Sequence, residues 1–548
     1  MRSYRLVLAL VLVALLGTAC FSAPGGGPGG VSLDESSPRE DAGPAQAGGT
    51  FRYALPSDAR SLDPHEESSF NTHIAIGSTY SKLVDFKTGP DVPYGAPELE
   101  GDLAQSWETS ADGTTWTFHL RQGVRFHDVA PVNGREFTSD DVLCTVQRIR
   151  ELPGQQVSQL SMVQEVSAPD PYTVVFQLTE PYAEFDTNMA GHFMWMLPCE
   201  AARGEFDVST TAIGTGPYVL ERWERDRERV LTAHPDYYVE GQPYMERVQV
   251  SIVPDQTAAI AAFRTGQTDY LSALSLDLAQ AERILTEDPD AKLTREQGLT
   301  QARLYMNQGR APFDDLRVRR AVALAIDRQG MLETIRAGGA VTGPVTPTLF
   351  GGLPSEEAAA LQPHDPEQAR ALLAEAGFPQ GLSTRMILTD GYGENVVREA
   401  QWVQQDLAEV GIQVELVLQD YATYFTESFA GENYDMGYGL QTPMLTADDY
   451  LSSEWASEGP RNWYGIADPA LDQMITEQRG ELDRATREQQ LHEIQRYIIE
   501  NVSNPVPLYV YDGLSISAPY VHDAWPHPDY GTRHQARIWL GPEAPGRE

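Results

Sequence analysis

Three cysteines, eleven histidines and 79 carboxylates are the side chains through which this 548-residue sequence could do chemistry. Their spacing supplies no catalytic set. There is no G-x-S-x-G elbow, H-E-x-x-H helix, G-x-x-x-x-G-K-[ST] loop or C-x-x-C pair. Nucleophilic, zinc-hydrolase, phosphate-cradling and dithiol chemistry therefore lack their usual carriers. His492-Glu493 has Arg496 where a second zinc-binding histidine would stand. His522, His527 and His534 are spaced by five and seven residues, which suits no compact metal site, so neither a metal nor any other cofactor is expected. Acidic pairs such as Asp140-Asp141 and Asp448-Asp449 read as solvated surface, with Asp140 expected to cap the helix that follows it. Lys and Arg number 40, leaving a formal charge of −39. That balance argues against nucleic acid or an anionic membrane surface as partner, because phosphate recognition needs a basic patch.

The first fifty residues read as an address and a tether. Arg2 and Arg5 precede an apolar run from Leu6 to Leu16, followed by Gly17-Thr18-Ala19-Cys20. A positive end, a short apolar stretch and small residues make a secretory signal, here 1–19. The run is too short to span a bilayer of about 30 Å. A cysteine directly after the small residues looks like a bacterial lipobox, in which Cys20 becomes the lipidated N-terminus. Residues 22–49 hold eight Gly and four Pro without hydrophobic periodicity, so 20–49 is expected to be a flexible linker, spanning about 30 Å. In an exported body, Cys144 and Cys199 are compatible with a disulfide, and equally with two thiols if their backbones stand apart.

Behind these groups lies a body of alternating strands and helices. After the turn at Asp112-Gly113, Trp116, Phe118 and Leu120 alternate with polar residues as a half-buried strand, and Val174, Phe176, Leu178 and Val248, Val250, Ile252 repeat the pattern. Val318, Ala321, Val322, Ala325 and Ile326 form one helical stripe. Asp365-Pro366 opens a second helix, with Ala369, Leu372, Leu373 and Ala376 as its stripe and Gly377 at its end. A third carries Val396, Ala400, Val403, Leu407 and Val410, stops at Gly411, and is followed by a strand containing Ile412, Val414, Leu416 and Leu418. Helix–Gly–strand order makes this a mixed α/β chain. Its length implies more than one lobe.

The string Gly101-Asp102-Leu103-Ala104-Gln105-Ser106-Trp107, followed by Asp112-Gly113-Thr114-Thr115-Trp116-Thr117-Phe118-His119-Leu120-Arg121-Gln122-Gly123-Val124-Arg125-Phe126-His127-Asp128, resembles the extracellular solute-binding proteins of ABC importers, family 5. Leu62-Asp63-Pro64, Phe137-Thr138-Ser139-Asp140-Asp141-Val142, Gly214-Thr215-Gly216-Pro217-Tyr218, Val318-Arg319-Arg320-Ala321 and Pro507-Leu508-Tyr509 resemble further motifs in the same order. The resemblance implies a two-lobed periplasmic-binding-protein type II clamp with an additional small domain. One lobe would comprise 50–85, 213–300 and 505–548, the small domain 86–212, and the other lobe 301–504. It further implies a monomeric, non-enzymatic receptor that closes on a peptide and hands it to membrane permease subunits, held to the outer face of the membrane by lipidated Cys20.

The family's peptide binders hold the ligand amine with a carboxylate in a pattern like Gly-Trp-x-Ala-Asp-Tyr. The stretch similar to it here is Gly437-Tyr438-Gly439-Leu440-Gln441. Tyr438 takes the aromatic place and Gln441 that of the carboxylate, which suits an oligosaccharide or other polar solute as well as a peptide. Trp455 and Trp463, with Asn462 and Tyr464 beside the latter, complete the expected ligand set.

Overall fold

A computed structural model of the chain describes residues 43–545, apart from 68, 90, 91, 93–97, 153, 154, 273–275, 277, 337, 393, 422, 442, 528 and 530–532. Cys20 and the signal segment lie outside the described residues. Among those described, no helix is long and apolar enough to cross a membrane.

The periodicities read from the sequence become elements. Thr115–Leu120 and Thr173–Leu178 bury every second residue and pair antiparallel, Phe118 opposite Val174. Together with Ala104–Thr109 and Val163–Asp170 they form a four-stranded sheet. Phe118 and Phe176 of its buried face pack in one core with Phe185 of the helix Phe185–Ala190 and with Val142, Val146 and Ile149 of the helix Ser139–Glu151. That helix is capped by Thr138, whose backbone N–H donates to the Asp141 carboxylate at 3.1 Å, so Asp141 rather than Asp140 supplies the capping carboxylate. Cys144 of the same helix is joined by a disulfide to Cys199, with Cα atoms 5.3 Å apart.

A second, eleven-stranded sheet runs through the rest of the molecule. At one end Ile412–Gln419, Leu382–Thr389 and Met436–Leu440 lie parallel. At the other, Tyr270–Leu271, Thr50–Leu55 and Arg247–Ile252 are parallel, and the hairpin Tyr218–Glu224/Glu228–Ala233 extends the edge. Two long antiparallel strands, Lys292–Met306 and Val506–Ser517, join the halves. Their register shifts between Gln297 and Gln301. On its other side Val506–Ser517 pairs with Tyr270–Leu271 at one end and Gly339–Val341 further along. The thinnest part of the sheet is thus around 297–301 and 511–515. Gly339 there has φ +135°, and a Cβ on it would stand 2.1 Å from the Val510 carbonyl oxygen, so only glycine fits.

Each half has its own core. Phe51, Val248, Leu293, Ile516 and Trp539 centre one. Leu304, Val322, Val403, Met436 and Leu508 centre another, built on the helices Leu316–Ala325, Pro366–Glu375 and Glu394–Glu409. A further cluster gathers Tyr305, Tyr424, Trp455, Leu491 and Ile494.

Candidate ligand-binding site

In open α/β sheets, ligands sit beyond the carboxyl ends of parallel strands, where loops can close over them. Leu382–Thr389, Ile412–Gln419 and Met436–Leu440 end on one such edge, and the segments leaving them carry Tyr392, Tyr421 and Gln441.

Side chains alternate along Met436–Leu440, and this separates two of the expected site residues. Tyr438 is fully buried and its hydroxyl donates to Glu399 at 3.0 Å. Tyr509 also donates to Glu399, at 2.5 Å, and Arg336 pairs with it at 2.6 Å. Tyr438 therefore belongs to the polar heart of the helix-covered core, against the expectation that it lines the ligand site. Gly437 and Gly439 face the opposite way, where a Cβ would collide with the Tyr305 ring and the Tyr424 hydroxyl respectively.

Gln441 follows on that second face and is 7% exposed. Its backbone N–H donates to the Gln301 carbonyl at 2.9 Å, extending the pairing with the crossing strand. Its Nε2 donates to Glu454 Oε1 at 3.0 Å, and its Oε1 is buried without a partner. Glu454 in turn pairs with Arg303, whose Nε donates to Gln301 Oε1 at 2.8 Å. The Arg303 guanidinium lies 4.9 Å from the Trp455 ring centre and 5.9 Å from that of Tyr450. Burial opposes the charge on Arg303, yet Glu454 holds its pKa above the ordinary value. Leaving such a pair half-made would be costly, because a lone buried charge has no solvent to screen it.

Of the remaining expected residues, Trp455 is fully buried and donates from Nε1 to the Asn504 carbonyl at 3.1 Å. Tyr464 packs within 6.0 Å of the Tyr305 ring. Both are packing groups around Arg303 and Tyr305. Asn462 ties its own loop: Nδ2 donates to the carbonyls of Ala456, Ser457 and Ile466, and Oδ1 accepts from the Ile466 N–H at 3.0 Å. Trp463 lies edge-on to Phe429 at 4.9 Å and to Phe425 at 5.7 Å. The structure thus brings Gln441 and Trp455 to one polar cluster, with Tyr464 at its margin, and sets Tyr438 and Asn462 to other work. Arg303 and Glu454 were missed in the sequence. They are 151 residues apart and meet only through the sheet register.

Acidic residues that read as surface are also buried. Asp448 accepts from Arg479 Nε at 3.0 Å and from Gln478 Nε2 at 2.6 Å, and its N–H donates to Glu184 Oε2 at 3.3 Å. Arg487 pairs with Glu184, and the Ala183 N–H donates to the Arg479 carbonyl at 3.0 Å. These contacts fasten the segment after the four-stranded sheet to the helices Pro469–Arg479 and Arg484–Tyr497. Burial, then Asp448 and Glu184, push the neighbouring Asp449 carboxyl up to about 7. His527 and His534 stack at 5.5 Å, while His522 instead lies on Trp539 at 4.1 Å.

The sequence profile of the bacterial extracellular solute-binding proteins, family 5 (Middle), matches residues 98–463. The chain is 30% identical over 431 residues to di/tripeptide-binding protein 2 of Pseudomonas aeruginosa, covering 73% of this chain and 79% of that one. It is 28% identical over 502 residues to heme-binding protein A of Haemophilus influenzae, covering 86% and 89%. The periplasmic binding protein DppA of Helicobacter pylori, solved in complex with the peptide STSA, superposes with a TM-score of 0.74 at 24% identity, covering 90% of this chain and 98% of that one.

Proposed function

The chain belongs to the bacterial extracellular solute-binding proteins, family 5, and on that footing we propose that its solute is a short peptide, held between the two halves of the long sheet. The protein is an extracytoplasmic solute receptor of an ABC importer, not an enzyme. The observation that carries a donor-bearing solute is Gln441 Oε1, a buried acceptor without a partner at the carboxyl edge of parallel strands, and the relatives make a peptide the first candidate for it. A peptide offers N–H donors for such an atom, and leaving it unmet costs about 1–3 kcal/mol. The di/tripeptide-binding name of the Pseudomonas relative supports the same class.

Closure would work through 297–301 and 511–515, the thin part of the sheet, with 50–85, 213–300 and the part of 505–548 beyond this crossing as one lobe, 301–504 as the other, joined by Val506, Leu508 and Tyr509, which pack in its core, and 86–212 as the small domain. Ligand contacts made only when the halves meet would drive it. The closed monomer would then dock on its permease, tethered to the membrane through Cys20. A second reading, an oligosaccharide or other polar solute, draws on the neutral amide at position 441.

Thermal unfolding of the ligand-stripped mature protein, against peptides of two to eight residues and a matched oligosaccharide panel, tests both. A ligand at a hundred times its Kd adds about 2.7 kcal/mol, enough to move the midpoint. A shift with peptides is expected. A shift with sugars alone would transfer the site to the second reading.

A further inference from the structure

The polar cluster beneath the candidate site has a direction. Gln301 Nε2 donates to the carbonyls of Gly343 and Pro344 at 3.3 and 3.2 Å, which turns its Oε1 towards Arg303. A guanidinium donates and never accepts. Arg303 therefore points donors at Gln301 Oε1 on one side and at Glu454 on the other. The ionised Glu454 accepts and never donates, so the amide of Gln441 must turn Nε2 towards it, as observed at 3.0 Å. The reverse rotamer would set two oxygens against each other and leave the Gln441 NH2 unsatisfied. Every link is fixed by the one before it. The last atom of the chain, Gln441 Oε1, is the one with nothing to bond, and Gln441 is more than nine-tenths buried.

We infer that Glu454, held by Arg303, is a positioning residue that makes Gln441 an obligate acceptor, so that the solute must present a hydrogen-bond donor, and not a carboxylate or ether, at this point. A free glutamine amide would take either partner, because rotation exchanges its two ends. Locked by Glu454, it discriminates. The inference rests on the peptide reading above and narrows it to solutes whose group at this place is an ammonium, amide N–H or hydroxyl.

Calorimetric titration of the full chain with three matched probes tests the assignment: trialanine, lactoyl-Ala-Ala and propionyl-Ala-Ala. They differ at one position, which carries an ammonium, a hydroxyl or only hydrogen. Wild-type protein is expected to bind the first two and to bind the propionyl probe about tenfold or more weakly than the lactoyl one, since a buried acceptor would stay unmet. In Gln441→Leu the lactoyl and propionyl affinities should fall within about twofold of each other. Glu454→Gln should shrink the same ratio, because an amide neighbour allows Gln441 to rotate. Since Glu454→Gln also alters the buried pair with Arg303, its thermal midpoint is measured alongside, and Gln441→Leu carries the test if that variant unfolds. Equal binding of the lactoyl and propionyl probes to wild-type protein would overturn the acceptor assignment and leave the peptide reading standing. An unchanged ratio in a folded Glu454→Gln would remove Glu454 from the role. No heat with any of the three would overturn the peptide reading, and this inference with it.

Discussion

Gln441 and Asp449 stand eight positions apart and make opposite demands on the solution around them. Truncating Gln441 to alanine removes both the bond to Glu454 and the free acceptor. The expected outcome is peptide affinity weakened by about 1–3 kcal/mol, read by calorimetry, and an unchanged affinity would place the ligand elsewhere. For Asp449 the variable is pH. Its carboxyl sits at about 7 in the folded chain against an ordinary value of 3.8. Between those values the folded protein keeps a proton that the unfolded chain has released. The contribution to stability is therefore full below about pH 4 and is lost as pH rises through 7. Asp449→Asn, which mimics the protonated form, should melt higher than wild type at pH 8 and equally at pH 4. A midpoint difference that ignores pH would sink this account. At this scale the sequence was legible in part. It singled out Gln441, whose buried orphan oxygen is the most suggestive atom in the site. It grouped Tyr438 with Gln441, although strand alternation with Gly437 and Gly439 sends Tyr438 to Glu399. It offered no signal for the Arg303–Glu454 pair, because a contact between residues so distant exists only once the sheet has its register.

Helices and strands were the most legible level. The stripes at Val318–Ala325 and Val396–Leu407 are buried as the 3.6-residue period requires, and the turn glycines fall where the helices end. What the period cannot express is polar choice at an element's end, which is why the sequence points to Asp140 where the structure uses the Thr138 and Asp141 box. In the hairpin Tyr218–Glu224/Glu228–Ala233 most of the charges of 221–229 face solvent, but Arg229 turns inward to pair with Asp58. The disulfide ties the helix Ser139–Glu151 to the short helix Cys199–Ala202 across 55 residues. Closing a loop of that size restrains the unfolded chain by about 2–4 kcal/mol. Cys144→Ser/Cys199→Ser should lower the denaturant midpoint by a corresponding amount, and reductant should affect wild type but not the variant. Equal midpoints with and without reductant would mean that the bridge restrains nothing.

At the scale of the molecule, the family and its architecture were readable because their motifs lie in order along the chain. The cores were not, since each assembles residues from segments hundreds of positions apart, as Phe51 with Trp539. The tether stands apart from the rest: Cys20→Ala should leave peptide affinity unchanged and move the protein from the membrane fraction to the soluble one. Retention in the membrane fraction would overturn the lipobox reading.

The strand Val506–Ser517 touches both halves at once, against Lys292–Met306 on one side and both Tyr270–Leu271 and Gly339–Val341 on the other. It also follows all three of these partners in the chain, so in synthesis, and in export, it emerges after them. Until it does, three strands from two different halves present raw edges. Truncation anywhere upstream of Val506 should therefore yield aggregate rather than a half-sized binder, and the nascent polypeptide has a built-in reason to stay unfolded until this strand has crossed.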